Sequence, residues 1–267
     1  MSSDILDLTK YTPERGIMGH HIKCGLGIVL VSFMLHNVSS EAVAGGNNIT
    51  IPSTIIQQDF RDLTEQIGLA ISYMPLAPAA PLGLLGFDAG VEITAININQ
   101  SLPVWAKVIT DGRITDYIYL PKLHVQKGLP LGLDIGVVYT KLPNSNLSMI
   151  GGELKWAFLE GGIAMPAAAL RASYTKLLGV SDVDLNTYGL DLSASKGVAF
   201  LTPYAGVGMV WITSRENSNV VSLKAEQVNR VKGFVGLRVS ILHFISLVAE
   251  ANFSKIQAYS LRANISF

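Results

Sequence analysis

Two Ser-x-x-Lys runs, Ser173-Tyr174-Thr175-Lys176 and Ser193-Ala194-Ser195-Lys196, and the pair Gly206 and Gly208 are the stretches whose residue types could do chemistry. A serine three residues before a lysine serves acyl transfer when it opens a helix and when S-D-N and K-T-G runs accompany it. Neither companion follows here. A phosphate-cradling turn needs G-x-G-x-x-G between a strand and a helix, and Gly206-Val207-Gly208 lacks both the spacing and that setting. These glycines are expected instead to let a strand bend or a neighbour approach closely. Past residue 44 the only histidines are His124 and His243, which are not at metal-ligand spacing, and the one cysteine of the chain is Cys24. No metal site and no cofactor is therefore expected. A hydrolytic site could still be drawn from distant positions, with a serine, His124 or His243, and a carboxylate.

The elements that would position any such residue are constrained by composition. Of 267 residues, 49% are hydrophobic and only 15% charged, and 20 Lys+Arg balance 20 Asp+Glu. An ordinary soluble domain carries roughly a quarter charged residues. Zero net charge argues against a cationic nucleic-acid binder, so no nucleic-acid partner is expected. Lipid is the solvent this composition suits. The long uncharged windows do not read as spanning helices, because Gln66 to Phe87 contains Pro75, Pro78 and Pro81, and Gly197 to Ser214 contains Pro203, Gly206 and Gly208. The other structure that satisfies every backbone group in a bilayer is a closed β-barrel.

The amino-terminal region has the layout of a secretion signal. Lys23 precedes the apolar run Gly25 to Leu35, and Ala42-Val43-Ala44 forms an A-x-A site before Gly45. Residues 1–44 are expected to be a cleaved signal peptide, with Met18 as an alternative start. Residues 45–85 then form an amino-terminal segment. Within Thr54 to Gln66, Ile55, Ile56, Phe60 and Leu63 recur near helical spacing, which predicts a short amphipathic helix, and the Pro-rich run MPLAPAAP follows. Three placements are open for this helix: a plug in a lumen, a cap on the periplasmic mouth, or an unattached segment.

From residue 86 to 267 the hydrophobic period becomes two. Ala89, Val91, Ile93 and Ala95 alternate with Asp88, Gly90, Glu92 and Thr94; Leu133, Ile135, Val137 and Tyr139 alternate with Asp134, Gly136, Val138 and Thr140; the pattern recurs through the rest of the chain. Strands are expected near 86–98, 117–127, 131–141, 147–159, 167–177, 184–195, 201–213, 228–241, 244–254 and 257–267. That is ten strands, an even number, with the two longest links, 99–116 and 214–227, on the external side. Reading 67–75 and 49–57 as strands would make twelve. In the first long link, Leu102, Val104 and Trp105 are expected to extend a strand above the membrane.

The last strand places Tyr259, Leu261, Ala263, Ile265 and Phe267 on one face and Ser260, Arg262, Asn264 and Ser266 on the other. This ending resembles the assembly signal of bacterial outer-membrane β-barrel proteins, a terminal Phe preceded by apolar residues at alternate positions. The resemblance implies an all-β transmembrane antiparallel barrel in the bacterial outer membrane, with recognition of residues 259–267 by the barrel assembly machinery. The segments GFDAGVEITA, LPKLHVQKGLPLGLDIG, GGELKWAFLEGG and TPYAGVGMVW also resemble a bacterial barrel family of unknown function.

With the apolar faces towards lipid, the opposite faces line a lumen. That register collects Asp88, Glu92, Asp134, Glu153, Asp191 and Glu250 with Lys155, Arg171, Lys232, Arg238 and Arg262, and Lys122 beside them. A selective channel carries rings of one sign. Balanced charge in a barrel of about ten strands points instead to a narrow or filled lumen held by an ion-pair network, since slightly smaller barrels are filled by side chains alone. The function expected is a non-enzymatic outer-membrane barrel with a structural or small-solute transport role. Passive uptake of a small or hydrophobic solute is the alternative, and a barrel hydrolase the second.

Overall fold

The computed structural model describes residues 51–108, 116–142, 145 and 147–267. The expected signal peptide, residues 1–44, lies outside the described residues. Ten strands form: β1 Phe87–Asn97, β2 Tyr117–Gly128, β3 Leu133–Lys141, β4 Ser148–Leu159, β5 Ala167–Leu178, β6 Val183–Ser195, β7 Leu201–Glu216, β8 Glu226–Leu242, β9 Ile245–Phe253 and β10 Gln257–Ser266. Each pairs antiparallel with its neighbour in sequence, and β1 closes on β10 from Asp88↔Ser266 to Asn97↔Gln257. The result is a closed barrel of ten strands, and the twelve-strand alternative is excluded.

Alternation decides which side chain meets which solvent. Ile135, Val137, Tyr139, Leu154, Trp156, Leu190, Leu192 and Leu261 are exposed on the outer wall, while Asp134, Glu153, Lys155, Arg171, Asp191 and Arg262 are buried inside. Tyr119, Tyr139, Tyr174, Tyr188 and Tyr259 lie outward near the end that carries the long links, and Trp156, Phe158, Phe200, Phe244 and Phe267 near the opposite end. On β4 the outward apolar run from Ile150 to Phe158 spans about 21 Å at a strand tilt of roughly 40°. An apolar band of that height between two aromatic girdles is what a bilayer requires of a transmembrane barrel. Pro121 is tolerated because it sits outside the β2–β3 ladder, which begins at Lys122, and its carbonyl accepts the Thr140 hydroxyl.

Short links, 129–132, 160–166, 196–200 and 243–244, join strands at the end where β1 begins and β10 stops. The longer links, 98–116 and 217–225, lie at the other end with 142–147, 179–182 and 254–256. In outer-membrane barrels the longer links face outwards and the short turns face the periplasm, so the end with the short links is the periplasmic one and the opposite end the external one.

The segment before β1 departs from expectation in its bounds. Helix α1 spans Gln57–Ile71 and not 54–66. Asp59 accepts a hydrogen bond from the Ile56 N–H at 3.1 Å, half of a capping box, so the first turn begins after Ile56. The helix runs on through 67–71, a stretch that reads equally well as a strand, because it is packed on several sides and needs no polar face. It stops where the Ser72 hydroxyl and N–H both reach the Leu69 carbonyl, three residues before Pro75. A second correction concerns the first long link. Leu102, Val104 and Trp105 do not extend a strand; helix α2, Pro103–Val108, carries Val104 and Trp105 into the buried core beside α1.

Candidate functional site

Inside the barrel the fold brings together the inward side chains and one extended stretch, residues 72–86. Helix α1 sits within the external mouth. Gln57 donates to the Lys224 carbonyl at 3.0 Å, the Gln66 side-chain amide oxygen accepts the Asn99 N–H at 3.1 Å, and the Ile51 N–H reaches Asp182 at 3.4 Å; all three partners belong to external links. From Ser72 the chain descends. Its contacts run in order down the wall until Gly86 accepts the Gly128 N–H at 3.0 Å at the periplasmic end, and β1 begins.

This strap poses a physical problem. Pro75, Pro78 and Pro81 remove three backbone donors, so it cannot pair as a strand, yet Ser72 to Ala79 are buried. Each buried carbonyl and N–H left unmatched would cost about 1–3 kcal/mol. The wall supplies the partners. Lys232 donates to the Tyr73 carbonyl at 2.8 Å, Arg262 to the Leu76 carbonyl at 3.3 Å, and Lys155 to the Pro78 and Ala80 carbonyls at 3.2 and 2.9 Å. The N–H groups find acceptors in turn: Leu76 donates to Glu250 at 2.9 Å, Ala79 and Ala80 to the Ser195 hydroxyl at 3.1 and 3.3 Å, and Leu82 to Asp134 at 3.1 and 3.2 Å. An extended backbone presents acceptors and donors alternately, so a wall that holds it must carry both bases and acids. That requirement accounts for part of the balanced charge of the lumen, the bases Lys155, Lys232 and Arg262 and the acids Asp134 and Glu250.

The same groups pair with one another. Lys155 meets Asp134 at 2.7 Å, Lys232 meets Asp191 at 3.1 Å, Arg171 meets Glu153 at 2.5 Å, and Lys122 meets Glu92 at 3.0 Å. Asp88 joins Arg262 to Arg238, the latter at 3.7 Å, and accepts from Asn264 at 2.5 Å. Arg238 is half-buried near the periplasmic mouth and donates to Ser246 and Ser266 at 3.0 and 2.6 Å. Glu250 also accepts from Tyr204 and Asn252, both at 2.8 Å. Sequence reasoning missed Ser195, Tyr73 and Tyr204. Ser195 was legible in principle, since alternation through Ala194 turns it inward.

Room for these large groups comes from inward glycines. A Cβ at Gly208 would lie 2.0 Å from an Asp191 carboxylate oxygen, and one at Gly206 would lie 2.3 Å from the Phe234 ring. The Gly-x-Gly pair thus serves packing. A cavity of about 10 Å³, room for about one water, lies between Leu69, Met74, Lys232, Asn252 and Ile256.

The groups considered for catalysis are dispersed. Ser173 faces the lumen while Lys176, an odd number of residues on, faces outward and pairs with Asp184 at 3.4 Å. Ser193 is buried, and Lys196 caps the Gly162, Ile163 and Met165 carbonyls in a periplasmic turn. His124 is fully buried at mid-wall, with Tyr73 Oη at 2.6 Å from one ring nitrogen and Glu92 at 3.4 Å from the other. His243 is exposed in the β8–β9 turn.

At the external rim, burial alone would raise the Asp59 carboxyl, but the Lys107 ammonium at 2.5 Å and the Ile56 N–H outweigh it and hold it below the usual carboxylate range. Burial opposes ionisation of Glu65 as well, and Arg230 together with Lys255, at 2.7 Å, overcomes it and lowers that carboxyl too. The terminal motif completes the closure. Tyr259, Leu261, Ala263 and Ile265 lie on the outer face of β10, and Phe267 exchanges backbone hydrogen bonds of 2.7 and 2.9 Å with Phe87 while their rings pack 5.4 Å apart.

No family model matches the chain, and no curated protein matches it. Among solved structures it is similar to Ail, the attachment invasion locus protein of Yersinia pestis, at 10% identity over 68% of this chain and 97% of that one, with a TM-score of 0.33. It is similar to the outer membrane protein OprG from Pseudomonas aeruginosa at 11% identity over 72% of this chain and 99% of that one, with a TM-score of 0.34. The β domain of the Bordetella autotransporter BrkA is 11% identical over 68% of this chain and 99% of that one, with a TM-score of 0.38. The closed wall, the outward apolar band and the polar interior make this chain a ten-stranded β-barrel of the bacterial outer-membrane type.

Proposed function

We propose that the protein is a non-enzymatic outer-membrane barrel with a filled lumen, in which residues 45–85 act as a built-in plug and the role is structural. The observation that carries this reading is the strap: its backbone is bonded to inward side chains from β3, β4, β6, β8, β9 and β10. A segment bound at that many points does not leave the lumen as a loose terminus would. The charged groups that could line a conducting pore, Asp134, Lys155, Arg171, Lys232, Glu250 and Arg262, are each no more than 4% exposed. The alternation of Tyr259 to Phe267 along β10 supports recognition of this strand by the assembly machinery, and lipid is the partner of the outer wall. A passive uptake role would need the strap to part from the wall.

Bilayer conductance tests the proposal. Protein refolded into lipid, with its folded state checked by heat-dependent gel migration, is expected to give no steady open level in a planar bilayer. A stable porin-sized conductance would overturn the filled-lumen reading.

A further inference from the structure

The path of the strap has a direction. At its periplasmic end Gly86 leads into β1, beside the end of β10. At the other end α1 is tied to the external links, and Ile51 is bonded to Asp182 between β5 and β6. The chain therefore crosses the barrel once through the lumen before it begins to build the wall. Ser53, Thr54, Ile56 and Gln58 are exposed at that external end.

We infer that the barrel holds residues 51–58, the stretch that leads into α1, on the outer face of the membrane, so that this stretch is displayed to the cell's surroundings. This rests on the plug reading above and adds a sidedness to it: β1 begins and β10 ends at the periplasmic side, while the segment that precedes α1 emerges outside. The lumen is occupied by the descending strap, which leaves no second path back. With cleavage after Ala44, residues 45–50 reach at most about 21 Å when fully extended, less than the apolar band of about 25 Å that such barrels present. The barrel then has a task beyond closure, which is to carry its own amino-terminal segment across the membrane and present it.

Cysteine accessibility in intact cells tests the sidedness. In a Cys24→Ser background, Ser53→Cys is expected to react with a membrane-impermeant maleimide in intact cells to the extent seen after permeabilisation. Val220→Cys, in an external link, is the positive control, and Gly162→Cys, in a periplasmic turn, should react only after permeabilisation. Protection of Ser53→Cys in intact cells while Val220→Cys reacts would overturn the inference. A disulfide between Ala79→Cys and Ser195→Cys tests the plug separately. If it forms and Ser53→Cys is still protected, the display inference fails alone; if it does not form in folded barrels, the plug reading fails with it.

Discussion

Helix α1 and the strap are consecutive in the chain, yet they are held by opposite means. The helix has satisfied its own backbone, so what fixes it is side-chain contact: Phe60, Leu63 and Leu69 packed into the core, with a rim of ion pairs. The strap closes only its last turn internally, Gly86 N–H to the Gly83 carbonyl at 2.9 Å, so from Tyr73 to Leu82 it is the backbone that is gripped, by side chains that reach in from the wall. The difference teaches where sequence is constrained. A helix in a mouth needs an apolar face of the right shape; an extended Pro-rich chain in a lumen needs particular charges at particular heights.

The largest effect is therefore expected from the grip on the strap. Asp134 accepts the Leu82 N–H and neutralises Lys155, which in turn holds the Pro78 and Ala80 carbonyls. Asp134→Ala strands a buried ammonium and a backbone donor, and is expected to lower the stability of the lipid-reconstituted barrel by about 3–5 kcal/mol. Asp134→Asn, which keeps an acceptor, should lose less. Denaturant unfolding followed by the heat-dependent gel shift measures both. Equal and negligible losses would show that the strap does not depend on these charges.

A smaller loss is expected where the helix meets the wall. A Cβ at Gly68 would lie 2.3 Å from the Ile212 Cγ2 on β7. Gly68→Ala should gain about 1 kcal/mol of helix propensity and lose about 1–3 kcal/mol to overpacking, for a net loss of about 1 kcal/mol. Adding Ile212→Val should recover part of it. If Gly68→Ala alone stabilises the barrel, α1 is not seated against β7 and the contrast between the two regions weakens.

The two regions also differ in how far they could be read in advance. The wall was legible because each strand separates lipid from lumen, so alternation in Leu133 to Thr140 or Tyr259 to Ser266 states which side chain faces which solvent. Lys122 was harder to place because Pro121 interrupts the pattern, and the structure buries it beside Glu92. The amphipathic first half of α1 was legible, and its second half was not: Gly68 to Ile71 is apolar on every side because protein surrounds it, which removes the periodicity that marks a helix. The grip on the strap left no local signal. Lys155 lies 77 and 75 residues from the two carbonyls it serves, and only the threading of the chain brings them together. The balanced lumen charge was visible as ion pairs; that Lys155, Lys232, Arg262, Asp134 and Glu250 also answer a backbone was not.

The smallest effect belongs to the rim, and its sign follows from the carboxyls. Arg230 and Lys255, which pair with Glu65, have side chains 34% and 51% exposed, so solvent screens them and each pair contributes at most about 1 kcal/mol. Asp59 and Glu65 both titrate below their unfolded values in the folded protein. Their contribution is thus complete above the ordinary carboxylate range and is lost as pH falls through the lowered values, below about pH 4. A nitroxide at Gln58→Cys, on the exposed side of α1, should report slow motion at pH 7 and faster motion at pH 3, reversibly. Lys255→Ala should move that transition to higher pH, because one of the two cations that hold Glu65 ionised is gone. The strap is gripped at its carbonyls by Lys232, Arg262 and Lys155 as well as at its N–H groups, so it is expected to keep its place while the rim loosens. A probe in the strap that loosened before the one on α1 would reverse the order of the two regions and break the comparison.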